Sequence, residues 1–86
     1  MRVKELKVIL EKENINSTDY DLFGVGHIKG YDGYVLQRDP SGKYQVIYEE
    51  RGKKDILGEH QTEQEACMHF LREMSEDFKQ LAKYIQ

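Results

Sequence analysis

The sequence predicts an α+β fold: one small domain over residues 1–86, in the order α-β-β-β-α, with a three-stranded antiparallel sheet packed against helices. Three observations predict it. The N-terminal segment carries apolar residues at helical spacing, two runs rich in β-branched and aromatic residues flank a Pro-Ser-Gly turn, and a Thr-x-x-Glu cap opens a long apolar stripe.

Helix one is expected from residue 2 to about 13, where Val3, Leu6, Ile9 and Leu10 share one face and Arg2, Lys4, Glu5, Lys7, Glu11 and Lys12 fill the other. Asn14 and Asn16 mark its end. The turn-rich Ser17-Thr18-Asp19 then lets Tyr20 and Leu22 begin a short extended stretch. Gly24 to Gly33 (GVGHIKGYDG) holds four of the seven glycines, a density that leaves few side chains to pack and reads as a flexible loop.

Gly33 to Arg38 and Lys43 to Glu49 read as strands of a hairpin, with Asp39-Pro40-Ser41-Gly42 as a type I turn between them. Glu50-Arg51-Gly52-Lys53 turns the chain again. A third strand follows over Lys54 to Glu59, with Gly58 marking a bulge or the strand's end. Thr62 caps helix two and Glu65 completes a capping box. Beyond it Cys67, Phe70, Leu71, Met74, Phe78, Leu81, Ala82 and Ile85 fall within an arc of about 120° if the helix runs on at about 100° per residue.

Composition narrows the function. Charged residues are 34% of the chain and hydrophobic ones 38%, the balance of a folding globular domain with a heavily solvated surface. Thirteen Lys and Arg against sixteen Asp and Glu leave a net charge of −3, the wrong sign for a dedicated nucleic-acid binder. Cys67 is the one cysteine, so no internal disulfide forms and a reducing cytoplasm is the expected setting. Lys and Glu interrupt the apolar residues of the N-terminus where a signal peptide would have an unbroken run, and no apolar run approaches the ~18 residues of a membrane span.

No motif calls for a cofactor. Gly24-x-Gly26-x-x-x-Gly30 misses the dinucleotide spacing and leads into a strand instead of a helix, and Gly42-Lys43 lacks the rest of a phosphate loop. Cys67 and His69 lie two apart on a helix and point about 200° from each other, so they do not share an ion, and His60 before the cap and His27 in the glycine-rich loop lack the ligand spacing of a zinc site. Cys67 falls within the apolar stripe, where a small buried hydrophobe is expected and not a nucleophile. The carboxylates are scattered over turns and helix faces, which is unlike the paired acids of a catalytic cleft.

If Arg38 pairs with Lys43, then Val35, Gln37, Tyr44, Val46 and Tyr48 share one sheet face, and Tyr34, Leu36, Gln45, Ile47 and Glu49 share the other. On one reading a helix covers each face, or the tyrosines line the edge of the core. On the other both helices cover one face and tyrosines on the open face meet a partner. Asp19, Asp21, Asp32, Glu49, Glu50, Asp55 and Glu59 surround the strand ends, where charge steers the encounter with a basic partner.

Across most of its length the chain resembles small bacterial immunity proteins of polymorphic or contact-dependent toxin systems. The resemblance is carried by Tyr34-Val35-Leu36, by Tyr44-Gln45-Val46-Ile47-Tyr48, by Glu50-Arg51-Gly52 and by Glu65-Ala66-Cys67. It departs from that pattern in the glycine-rich stretch and in tyrosine instead of tryptophan at Tyr44. The resemblance implies a cytoplasmic, non-enzymatic protein that neutralises one cognate toxin domain by binding it, with Tyr34, Tyr48, Glu49, Glu50, Arg51, Asp55 and Glu59 as the expected contacts. The segment from Gly42 to Leu71 also looks like the three-stranded DNA-binding domain at the N-terminus of phage-type integrases. That resemblance implies DNA contacts by Arg38, Lys43, Arg51, Lys53 and Lys54, but Glu49, Glu50, Asp55 and Glu59 stand beside them and repel phosphate.

Overall fold

The computed structural model describes residues 1–23 and 32–85. Along them run α1 (Val3–Lys12), a 3₁₀ turn (Ser17–Asp19), β1 (Tyr20–Leu22), β2 (Gly33–Arg38), β3 (Tyr44–Glu50), β4 (Lys53–His60), α2 (Glu63–Asp77) and a closing 3₁₀ turn (Lys79–Tyr84). Of the stretch read as a glycine-rich loop, residues 24–31 lie outside the described residues, and Gly33 opens β2.

The α+β class is as the sequence predicts, but the sheet has four strands in the order β1-β2-β3-β4 and is mixed. The added strand is the short stretch at Tyr20–Leu22, which runs parallel to β2 with Tyr20 opposite Tyr34 and Leu22 opposite Leu36. Three residues are too few for alternation to reveal a strand. Its reason for pairing is tertiary: Tyr20 and Leu22 are both buried in the core.

α1 ends as Asn14 foretells. Asn14 adopts φ 60°, and the amides of Asn14 and Ile15 donate to the carbonyls of Glu11 and Leu10. This is the paired bonding of a Schellman motif, which turns the chain sharply and swings Ile15 into the core.

The β2–β3 hairpin corrects the register. Arg38 pairs with Tyr44, not Lys43, because Gly42 takes φ 95° and adds a bulged residue after the type I turn. Asp39 braces that turn by accepting bonds from the amides of Ser41 and Lys43 and from the Ser41 hydroxyl. A one-residue shift exchanges the faces of β3. Tyr34, Leu36, Tyr44, Val46 and Tyr48 therefore share a face, and Val35, Gln37, Gln45 and Ile47 share the other.

Arg51 and Gly52, at φ 50° and 84°, form the two-residue β3–β4 turn with the paired positive φ angles of type I′. Along β4 the register slips once, since Val46 faces Gly58 while Ile47 faces Ile56. Leu57 is the extra residue of a bulge beside the expected glycine.

Thr62 caps α2, its hydroxyl oxygen accepting from the Glu65 amide at 3.2 Å and its hydroxyl donating to Glu65 Oε1 at 2.9 Å. The helix stops at Asp77 instead of continuing to Ile85. Phe78 leaves helical geometry at φ −121° and ψ 86°, and the chain tightens into the 3₁₀ turn. An acidic residue in the last turn opposes the helix dipole, and the turn itself is anchored to the end of α1, where Glu13 binds both Tyr84 and Lys83. Leu81 still reaches the core, whereas Ala82 is exposed.

Both helices pack on one face of the sheet. Leu6 and Leu10 of α1 and Phe70, Leu71 and Met74 of α2 join Leu36 and Val46 in one fully buried cluster. The tyrosines line this covered face, so the reading that places them on an open face is corrected. Tyr34 is buried, and Tyr44 and Tyr48 pack half-buried against the cluster.

Candidate functional site

The structure does not bring the expected contact residues into one group. Tyr34 belongs to the core: its hydroxyl donates to Asp77 Oδ2 at 2.7 Å, and its ring meets Tyr48 and Phe70 edge-on at 5.0 and 6.2 Å. Burial, then the bond to Asp77, raises the Tyr34 phenol well above the ordinary tyrosine value. Burial also raises that of its half-buried neighbour Tyr48. The structure gives Tyr34 a packing role.

The β3–β4 hairpin gathers several of the others. Its twisted tip carries Glu50, Arg51, Lys53 and Asp55 around a shallow groove of about 450 Å³. Glu50 stands opposite Lys53 and Glu49 opposite Lys54, so the acidic residues alternate with lysines across the ladder. Beyond the tip β4 is an edge strand, exposed over Lys53–Leu57, and Ile56 and Leu57 are 56% and 38% exposed between its charged ends. Glu59 lies apart on the sheet's outer face, where Gln37 donates to Gln45 at 3.0 Å and Gln45 donates to Glu59 at 2.9 Å.

Arg51 is unusual in its backbone. The first position of a type I′ turn favours Asn, Asp or Gly, because other side chains crowd the carbonyl at positive φ. Here it holds an exposed arginine at φ 50°. A similar departure occurs at Phe23, 39% exposed at φ 54°, whose ring meets Tyr44 edge-on at 6.1 Å while Arg38 lies over the Tyr44 ring at 4.8 Å.

One constellation escapes sequence reasoning. His60 at the end of β4 and His69 on α2 approach with Nε2 and Nδ1 2.8 Å apart, and His69 Nε2 lies 3.0 Å from Glu73 Oε2. The available signals are Gly58 and the helical spacing of His69 and Glu73. Neither says that a strand end crosses the helix there. Beside the pair runs a groove of about 410 Å³ lined by His60, Thr62, Gln64, Glu65, Met68 and Arg72.

Cys67 sits where the apolar stripe puts it, fully buried, with burial pushing its thiol pKa up to about 11, so it is a thiol and not a thiolate nucleophile at neutral pH. Among the described residues no three His, Cys, Asp or Glu side chains are grouped to hold a metal ion, and no helix is long and apolar enough to cross a membrane. His27 lies outside the described residues. Comparison with protein families, with curated proteins and with solved structures finds no match for this chain.

Proposed function

We propose that the protein is an immunity-type inhibitor that binds a cognate toxin domain through the tip of its β3–β4 hairpin and the adjoining part of β4. Arg51 carries the reading. An arginine at positive φ, in a turn that asparagine would relax, points to a side chain that serves contact and not the fold. Around it Glu50 and Asp55 supply charge for steering, and Ile56 and Leu57 supply apolar area for the contact. A basic toxin surface suits a domain of net charge −3. Glu49 and Glu59 are then flanking contacts, and Tyr34 is not one.

The test compares the wild-type chain with Arg51→Asn for binding to the toxin domain encoded by a neighbouring reading frame, and for rescue of growth when the two are co-expressed. The variant keeps the turn and is expected to lose binding and rescue while folding at least as stably. Full rescue by the variant removes Arg51 from the interface. Tight, sequence-selective binding to duplex DNA with a steep salt dependence replaces the proposal with the DNA-binding reading.

A further inference from the structure

We propose that Glu73, His69 and His60 form a two-step proton latch that closes the end of β4 onto α2 and opens when both imidazoles are charged. The geometry dictates the proton positions. An ionised Glu73 accepts the Nε2–H of His69, which leaves His69 Nδ1 as a bare lone pair when the ring is neutral. The 2.8 Å gap to His60 Nε2 holds one proton, so His60 must supply it and keep its own Nδ1 bare.

A first proton from solvent does not break the chain. It binds His60 Nδ1, and the proton in the gap passes from His60 Nε2 to His69 Nδ1. The charge now rests on His69 beside Glu73, and His60 is neutral in the opposite tautomer. A second proton, at His60 Nε2, places two N–H groups in one 2.8 Å gap, and the rings must part.

The surroundings delay that second step. His60 faces His69, Glu65 and Arg72 from α2, and Tyr44 lies opposite it on β3. Burial, then the charge on His69, lowers His60 from the ordinary histidine value, with Arg72 adding to this and Glu65 opposing it. Gly58 permits the closure, since His69 rests directly on its backbone. Opening loosens the strand end from Gly58 to Thr62, leaving it held by its pairing with β3 and by the Thr62 cap, and widens the adjoining groove. The latch is independent of the partner proposed above.

The test is histidine nitrogen NMR on the whole chain from about pH 8 to about pH 4, with amide-exchange protection measured at residues 58–62. His60 is expected to change from the Nε2–H to the Nδ1–H tautomer before it charges. Protection should fall by about tenfold, the factor for one modest hydrogen bond, only as it charges. In His60→Gln, whose amide donates or accepts without titrating, protection should persist to low pH. Two imidazoles that titrate independently without a tautomer change overturn the latch, as does protection in His60→Gln that falls in step with the wild type.

Discussion

Gly58 lies directly beneath His69. A β-carbon at residue 58 would stand 2.5 Å from His69 Cε1 and 2.9 Å from its Nδ1, closer than side chains approach. The glycine is therefore required by what sits above it, since its own φ is not positive. Gly58→Ala is expected to push the imidazole off β4, break the bond to His60 and cost about 1–3 kcal/mol, the range for overfilled sites. Denaturant titration checks the cost, and an unshifted midpoint would mean that the helix yields freely over the strand.

Tyr34 contributes to the alkaline limit of stability. Its phenol is raised by burial and by donating to Asp77, so the folded state holds that proton at a pH where the unfolded chain has released it. The contribution is complete below the ordinary tyrosine value of 10.0 and is lost as pH rises through the higher folded value. Tyr34→Phe should cost about 1–2 kcal/mol at neutral pH and flatten the fall in stability above pH 10. Stability measured against pH in both proteins decides it.

Charge at the hairpin tip is coupled to the fold. Glu50 faces Lys53 across the ladder, so Glu50→Lys places two like charges opposite each other and should destabilise by about 0.2–1 kcal/mol. Glu50→Gln should cost less, which makes it the cleaner probe of partner binding. Repeating the melts in about 1 M salt should shrink the lysine variant's deficit by screening. A deficit unchanged by salt would point to packing.

Phe70 is fully buried where α2 meets Tyr34. Phe70→Ala should cost about 3–5 kcal/mol, a large share of the stability of a domain this small. A variant that unfolds at nearly the wild-type denaturant concentration would show that α2 does not anchor the core.

What could be read in advance was local chemistry. Asn14, Pro40, Gly58 and Thr62 act on the residues beside them, and the helix end, turn, bulge and cap they mark are where they indicate. The errors begin where a local choice has distant effects. The positive φ of Gly42 adds one residue to a loop and so turns every β3 side chain to the other face relative to β2, which brings Tyr44 and Tyr48 onto the covered face beside Tyr34. β1 was legible as a short extended stretch but not as a strand of the sheet, because its pairing with β2 is tertiary, and the His60–His69 pair was not legible because a strand end and a helix meet only in three dimensions. At the hairpin tip Glu50, Arg51 and Asp55 were visible as charged turn residues, but the strained backbone of Arg51 was not.

The parallel pairing of β1 bears on the order of assembly. Residues 33–77 form two hairpins and a helix whose strands are neighbours in sequence, whereas β1 pairs with β2 in parallel and α1 meets α2 from the opposite end of the chain. Contacts between sequence neighbours close small loops and form early. The meander with α2 is thus expected to nucleate folding, and the first 22 residues to dock last, filling the core with Leu6, Leu10, Ile15, Tyr20 and Leu22. A newly made chain would wait for that seal with one side of its apolar interior open to water, and the segment made before the strands it covers would be the last to find its place.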